Sequence, residues 1–174
     1  MARQPQRPRF DDSEGGLDDA VVKIYRCSKV VKGGRRFSFG AMVVVGDRNG
    51  SVGIGYGKAN EVPPAVEKAT KEARKAMVPV ALRGGTLPHR VVGRCGASKV
   101  VLVPASPGTG VIAGASVRPV LELAGVRDCL TKSYGSSSPK NLVKATMNGL
   151  LSLRSAEQVG ELRGVRVEQE PLEA

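Results

Sequence analysis

Arginine and lysine side chains gather beside paired glycines at Lys29, Lys32, Gly33, Gly34, Arg35, Arg36 and Phe37, followed by Arg48 and Lys58. Guanidinium and ammonium groups at this density suit phosphate recognition, because each directs charge-assisted N–H donors at an anionic oxygen. Gly33 and Gly34 permit positive φ, so the backbone carrying these charges can approach another backbone closely. A second candidate is Ser136-Ser137-Ser138-Pro139-Lys140, a helix start whose free N–H groups and Lys140 suit a phosphate. The same five residues read equally well as an N-cap and nothing more.

The elements that would position the first set follow from local pattern. β-Branched density predicts a strand over Val21–Val31, and Gly33-Gly34 then opens a loop. Phe37–Val45 reads as a second strand, Asp47-Arg48-Asn49-Gly50 as a hairpin turn led by Asn-Gly, and Val52–Lys58 as a third strand. Pairing Gly46 with Ser51 sets Val45, Val43 and Ala41 opposite Val52, Ile54 and Tyr56 as the core face. Gly53, Gly55 and Gly57 would then leave nearly bare backbone on the reverse face. In this register Lys29, Lys32, Arg35, Arg36 and Lys58 converge at one end of the hairpin and Arg48 lies at the other, roughly 20 Å away.

A covering helix is predicted next, with Asn60 as N-cap, Pro63 and Pro64 in its first turn, and Val62, Ala65, Val66, Ala69, Ala73 and Met77 at helical spacing. A second unit begins near Pro88. It comprises a hairpin of His89–Cys95 and Ser98–Val103, a helix after Ser116 ending at Gly125, a strand over Val126–Tyr134, and a last helix from Ser138-Pro139. The order β-β-α-β-α indicates an α+β or α/β sandwich. The expected organisation is a disordered N-terminal arm at 1–20, an RNA-binding-like unit at 21–82, a linker at 83–87, an α/β unit at 88–155 and an acidic tail at 156–174.

Charge distribution supports an anionic partner. The net charge is +11, but residues 21–155 hold 22 basic and 6 acidic side chains, or +16, between mildly acidic ends. A solvated basic surface that aids solubility is the plainer reading of the same charge. Three distant cysteines, Cys27, Cys95 and Cys129, with His89 as the single histidine, argue against a disulfide framework or a zinc site. No apolar run approaches a membrane span and no signal-peptide core is visible, so an intracellular protein without a membrane partner is expected.

Other chemistries fit poorly. A Walker A loop ending at Gly57-Lys58 would need glycine at 52 and Ser or Thr at 59, where the chain has Val52 and Ala59. Gly108-Thr109-Gly110 with Asp128 permits only a degenerate dinucleotide fingerprint. No carboxylate pair or Ser-His or Cys-His set stands out, so no catalytic residue, cofactor or metal is expected. Phe39 and Tyr56 share the expected core face and read as packing residues. Phe37, beside the loop, stays open between packing and stacking.

Five segments in register then resemble the bacterial-type small-subunit ribosomal protein number five: Lys32-Gly-Gly-Arg-Arg-Phe-Ser-Phe, Val45-Gly-Asp-Arg-Asn-Gly, Val52-Gly-Ile-Gly-Tyr-Gly-Lys-Ala, Gly108-Thr-Gly-Val-Ile-Ala-Gly and Tyr134-Gly-Ser-Ser-Ser-Pro-Lys-Asn. The resemblance runs from about Val21 to Arg154. It implies an α+β fold: an N-terminal three-stranded sheet plus helix, similar to a double-stranded-RNA-binding domain, and a C-terminal βαβ-type sandwich shared with some kinases and translocation factors. It implies a structural, non-enzymatic role on small-subunit ribosomal RNA in the cytoplasm, beside ribosomal proteins number four and number eight, with no homo-oligomer. It also implies a place at the entrance of the messenger RNA channel and an influence on decoding accuracy, with Lys32–Phe37 approaching RNA. One departure stands out. The usual lysine cluster at the start of the RNA-binding helix is replaced by Asn60-Glu61-Val62-Pro63-Pro64, so minor-groove contact by that helix is not expected. The alternative from another class is a small nucleotide-dependent enzyme of the kinase-related fold, using the loop at Gly108.

Overall fold

The computed structural model describes residues 16–164 as an α+β fold of two four-stranded sheets and four helices. The first sheet, in the order β1-β2-β3-β4, is antiparallel and contains β1 (Asp18–Val31), β2 (Gly34–Gly46), β3 (Ser51–Ala59) and β4 (Val78–Pro79). Helix α1 (Val62–Lys75) lies between β3 and β4 in sequence and packs on this sheet. Its N-cap position is Glu61, with prolines in the first turn and no side-chain cap, where Asn60 was expected.

The second sheet has the order β5-β6-β8-β7, built from β5 (Val91–Cys95), β6 (Ser98–Pro104), β7 (Val111–Ile112) and β8 (Cys129–Gly135). Strands β7 and β8 run parallel and are joined through α2 (Arg118–Ala124), the crossover a parallel pair requires. Helices α3 (Pro139–Leu151) and α4 (Ala156–Arg163) complete the described chain. Strands β4 and β7 have two residues each, too short to leave a periodic signal in the sequence.

The hairpin register differs from the expected one by one residue. Gly46 pairs with Val52 and Val44 with Ile54, so Val45, Val43 and Ala41 oppose Gly53, Gly55 and Gly57. The turn explains the shift. Asp47 Oδ1 accepts from the amides of Asn49 and Ser51 at 2.8 and 2.9 Å, while Arg48 takes φ 55°. This side-chain-mediated turn replaces a tight Asn-Gly turn and carries one more residue. A slip of one residue exchanges the faces of a strand.

The consequence is a reversal of the two faces. The glycine face is closed by α1: a Cβ at Gly53, Gly55 or Gly57 would overlap the carbonyl oxygen of Ala73, Ala69 or Ala65 respectively. Ala41, Val43, Val45, Ala65, Ala69, Ala73 and Met77 form the core between sheet and helix. The other face carries Met42, Val44 and Val52 into one hydrophobic core with Leu102, Val120, Leu121, Val143 and Leu150 of the second half. Phe39 and Tyr56 therefore lie on opposite faces, not on one core face.

Because the halves share that core, the segment between them is anchored. Leu87 is buried, and Thr86 Oγ1 donates to the Asp128 carbonyl at 2.7 Å while accepting from the Ala105 amide at 3.2 Å. At the sheet turn, the Arg48 and Gly50 amides donate to the Leu123 and Ala124 carbonyls, both at 3.0 Å. Gly125 ends α2 at φ 93°, and a Cβ there would overlap the Arg48 carbonyl.

Both expected ends also need adjustment. Asp18-Asp19-Ala20, assigned to a disordered arm, belong to β1, because their partners Gly46, Val45 and Val44 continue the ladder. Residues 156–163, assigned to an acidic tail, form α4, whose start is a capping box between Ser155 and Gln158. That Ser-x-x-Gln spacing was available in the sequence. Residues 1–15 and 165–174 of the expected arm and tail lie outside the described residues.

Candidate functional site

The basic cluster is carried on a β-ribbon, not on a flexible loop. Val31 pairs with Gly34, so Lys32 and Gly33 alone make the turn, with Gly33 at φ 88°. Strand β3 ends at Ala59, opposite Phe39. The pairs from Cys27↔Ser38 to Val31↔Gly34 therefore project beyond the three-stranded part, a finger of roughly 17 Å at about 3.3 Å per residue.

Strand alternation divides the finger's chemistry between two faces. Paired residues share a face, which places Lys29 with Arg36 on one side, and Val30 with Arg35 and Ser28 with Phe37 on the other. Arg35 and Arg36, adjacent in sequence, thus project oppositely and give the finger charge on both faces. Arg26 joins the Phe37 side and holds its guanidinium carbon 3.8 Å from the ring centroid. Spacing alone gives no sign of this contact; the β1–β2 register brings Arg26 to Phe37.

Lys58 does not converge with the tip as expected. It pairs with Gly40 at the base of the finger, roughly 17 Å from Arg35 by strand rise. There it is exposed and lines a groove of about 530 Å³ with Ser38, Asn60, Glu61, Pro64 and Lys68. Arg48, at the opposite end of the sheet, forms a 2.6 Å ion pair with Asp18; both side chains are more than half exposed. It shares a groove of about 590 Å³ with Arg127 and the backbones of Gly84, Gly85 and Gly125.

Lys140, by contrast, is brought to the first sheet from the second half. Its ammonium lies 3.3 Å from the centroid of the Tyr56 ring and 5.8 Å from that of Tyr25. The two tyrosines meet edge to face at 6.4 Å. They occupy the same sheet face as Lys29 and Arg36, so Lys140 extends the basic groups of that face toward the body. Ser136 is engaged in structure: its amide donates to Ala97 at 3.2 Å, its carbonyl accepts from Ser98 Oγ at 2.7 Å, and its Oγ accepts from the Ser138 amide at 3.3 Å. Ser137 is exposed beside it. Ser138 occupies the N-cap position of α3 without a side-chain cap.

The loop at Gly108 is not the start of a helix. It leads into β7, and α2 begins only at Arg118. The Asp128 carboxylate already accepts from the Gly110 amide at 2.8 Å, placing negative charge where a pyrophosphate would sit. His89 has a structural role: Nδ1 lies 3.0 Å from the Arg90 carbonyl and Nε2 accepts from the Arg154 amide at 3.3 Å, which the Nδ1–H tautomer satisfies. Cys129 is fully buried, and desolvation pushes its thiol up to about 11 from 9.0, against a smaller lowering by the Val103 backbone. Among the described residues no group of three or more His, Cys, Asp or Glu is placed to hold a metal ion. No helix among them is long and apolar enough to cross a membrane.

These features define a two-sheet α+β protein with a shared core and a projecting basic finger. Residues 17–81 match the family described as ribosomal protein S5, N-terminal domain, and residues 93–163 match ribosomal protein S5, C-terminal domain. The chain is 60% identical over 152 residues to the small ribosomal subunit protein uS5 of Rhodopirellula baltica, covering 87% of this chain and 86% of that one. It is 55% identical over 159 residues to the uS5 protein of Lawsonia intracellularis, covering 91% and 98% of the two chains. The uS5 protein of Rubrobacter xylanophilus is 55% identical over 161 residues, or 92% and 80%. The chain belongs to the ribosomal protein S5 family, a structural and non-enzymatic family of the small ribosomal subunit. The nucleotide-dependent enzyme alternative finds no support in these matches.

Proposed function

We propose that the chain is a structural constituent of the small ribosomal subunit that binds ribosomal RNA through its basic finger, supports subunit assembly and decoding accuracy, and borders the entrance of the messenger RNA channel. The observation that carries this reading is the finger itself: Lys29, Lys32, Arg35 and Arg36 stand on a two-stranded extension with charge on both faces. A ribbon of this width can enter a groove or a cleft between RNA segments and meet phosphates on two sides. Gly33 and Gly34 keep the tip free of side-chain bulk at the point of closest approach.

Other basic positions extend the surface. Lys58 with its groove neighbour Lys68, and Arg48 with Arg127, offer two further phosphate contacts at opposite ends of the first sheet. Ser137 and Lys140 at the start of α3 offer another, with Ser136 shaping the backbone beneath them. The unit at 21–82 serves as the RNA-binding half and 88–155 as its support, with neighbours such as ribosomal proteins number four and number eight on the remaining surface.

The test is the salt dependence of binding to purified small-subunit ribosomal RNA. Arg35→Ala with Arg36→Ala is expected to weaken binding and reduce the log–log salt slope by about 0.7–0.9 per lost phosphate contact. An unchanged slope removes the finger from the interface. Full-length protein should also co-sediment with small subunits after a high-salt wash.

A further inference from the structure

Phe37 is a feature of the finger that phosphate binding leaves unexplained. The chain has three phenylalanines and no tryptophan, yet this ring is 44% exposed and belongs to neither hydrophobic cluster. It stands beyond the end of β3, where among the described residues no third strand pairs beside it. The Arg26 guanidinium stacks on it, 3.8 Å from the ring centroid. A delocalised cation against an aromatic face orders the ring, and 44% of the residue stays open to solvent.

We propose that Phe37, braced by Arg26, is a stacking site for one unpaired RNA base. This deepens the RNA-binding reading and rests on it. Aromatic and guanidinium planes both stack on nucleobases, and such sites accept bases that have left a helix, because inside a helix both faces of a base are covered by its stacked neighbours. Arg35 lies on the same face two residues away and supplies charge for the adjoining phosphate. The finger therefore takes hold of a bulged or single-stranded nucleotide, as well as duplex backbone.

The experiment uses the full chain and two probes, a short oligoadenylate containing a fluorescent adenine analogue that is quenched on stacking, and a blunt RNA duplex of equal length. Phe37→Leu is expected to weaken oligoadenylate binding by about 5- to 150-fold, the range for one base–aromatic stack, and to abolish the quench. Its salt slope and its affinity for the duplex should stay unchanged, because no charge is removed. Phe37→Trp should restore both affinity and quench, and Arg26→Ala should give an intermediate loss of each. Equal effects of Phe37→Leu on the two probes, or persistent quenching in that variant, overturn the proposal while leaving RNA binding intact. So does loss of a neighbouring ribosomal protein from reconstituted subunits with unchanged oligoadenylate binding, which would make Phe37 a protein contact. Absence of salt-sensitive binding to either probe by the unaltered chain overturns the RNA reading itself, and the stacking site with it.

Discussion

Replacing Gly55 by alanine tests the packing of α1 on the first sheet directly. In an ordinary strand position the change would be mildly favourable, by about 0.4–1 kcal/mol, because alanine restricts the unfolded chain. Here the new Cβ would overlap the carbonyl oxygen of Ala69 and press against the amide of Ala73. Those are backbone atoms of α1, so the helix must move away from Ala41, Val43 and Val45 as a body, loosening a core in which all three are fully or almost fully buried. Overpacking of this kind costs about 1–3 kcal/mol and occasionally more. Overlap with backbone puts this site at the upper end of that range, about 3 kcal/mol, so after the entropic gain the net loss is about 2–2.6 kcal/mol, or a fall in Tm of roughly 4–10 °C for a chain of this size. Urea unfolding followed by far-ultraviolet circular dichroism measures it. Gly114→Ala is the control, since a Cβ there meets nothing within 4 Å, and it should be neutral or slightly stabilising. A Gly55→Ala protein as stable as that control would refute the register in which β3 turns its glycines toward α1.

Four further outcomes follow from the same geometry. Asp47→Ala removes the acceptor for two backbone amides and should cost about 1–2 kcal/mol in urea unfolding. Gly125→Ala combines left-handed strain with overlap on the Arg48 carbonyl; a loss above about 2 kcal/mol is expected, with no soluble native protein as its extreme. Lys140→Ala removes the cation over Tyr56 and should destabilise by roughly 0.5–2 kcal/mol, read by the same unfolding assay. Cys129 keeps its proton in the folded state while the unfolded chain loses it. Stability relative to Cys129→Ala should therefore hold below pH 9 and fall as pH rises toward about 11, by at most about 1.4 kcal/mol per pH unit. Alkylation at neutral pH should correspondingly modify Cys27 and Cys95, both half-buried, before Cys129.

Much of the architecture was legible because it depends on short-range pattern. Helix α1 was announced by Ala65, Ala69 and Ala73 at four-residue spacing behind two prolines, and α3 by Pro139 and the apolar run through Leu150. The basic finger was legible as composition: charge and glycine between Lys29 and Phe37 mark a surface element whatever its exact pairing. The capping box that begins α4 was present in Ser155 and Gln158 but lay in a segment read by its charge alone.

The sequence by itself determined the family, the α+β class, the position of the charged hairpin and the candidates for phosphate contact. Tertiary structure decided which way each strand faces. The apolar residues of β2 form a continuous run from Ala41 to Val45, so either register buries an acceptable set and hydrophobicity cannot choose between them. The choice came from long-range fit: α1 lies close enough to admit only glycine on β3, and the Asp47 turn sets the pairing one residue from the Asn-Gly expectation. That choice sealed the glycine face under α1, joined the two halves through Met42 and Val44, and carried Lys140 to Tyr56, while the β1–β2 register set Arg26 against Phe37. Cross-strand and interhelical neighbours depend on where the chain returns in space, and residue order alone does not state that.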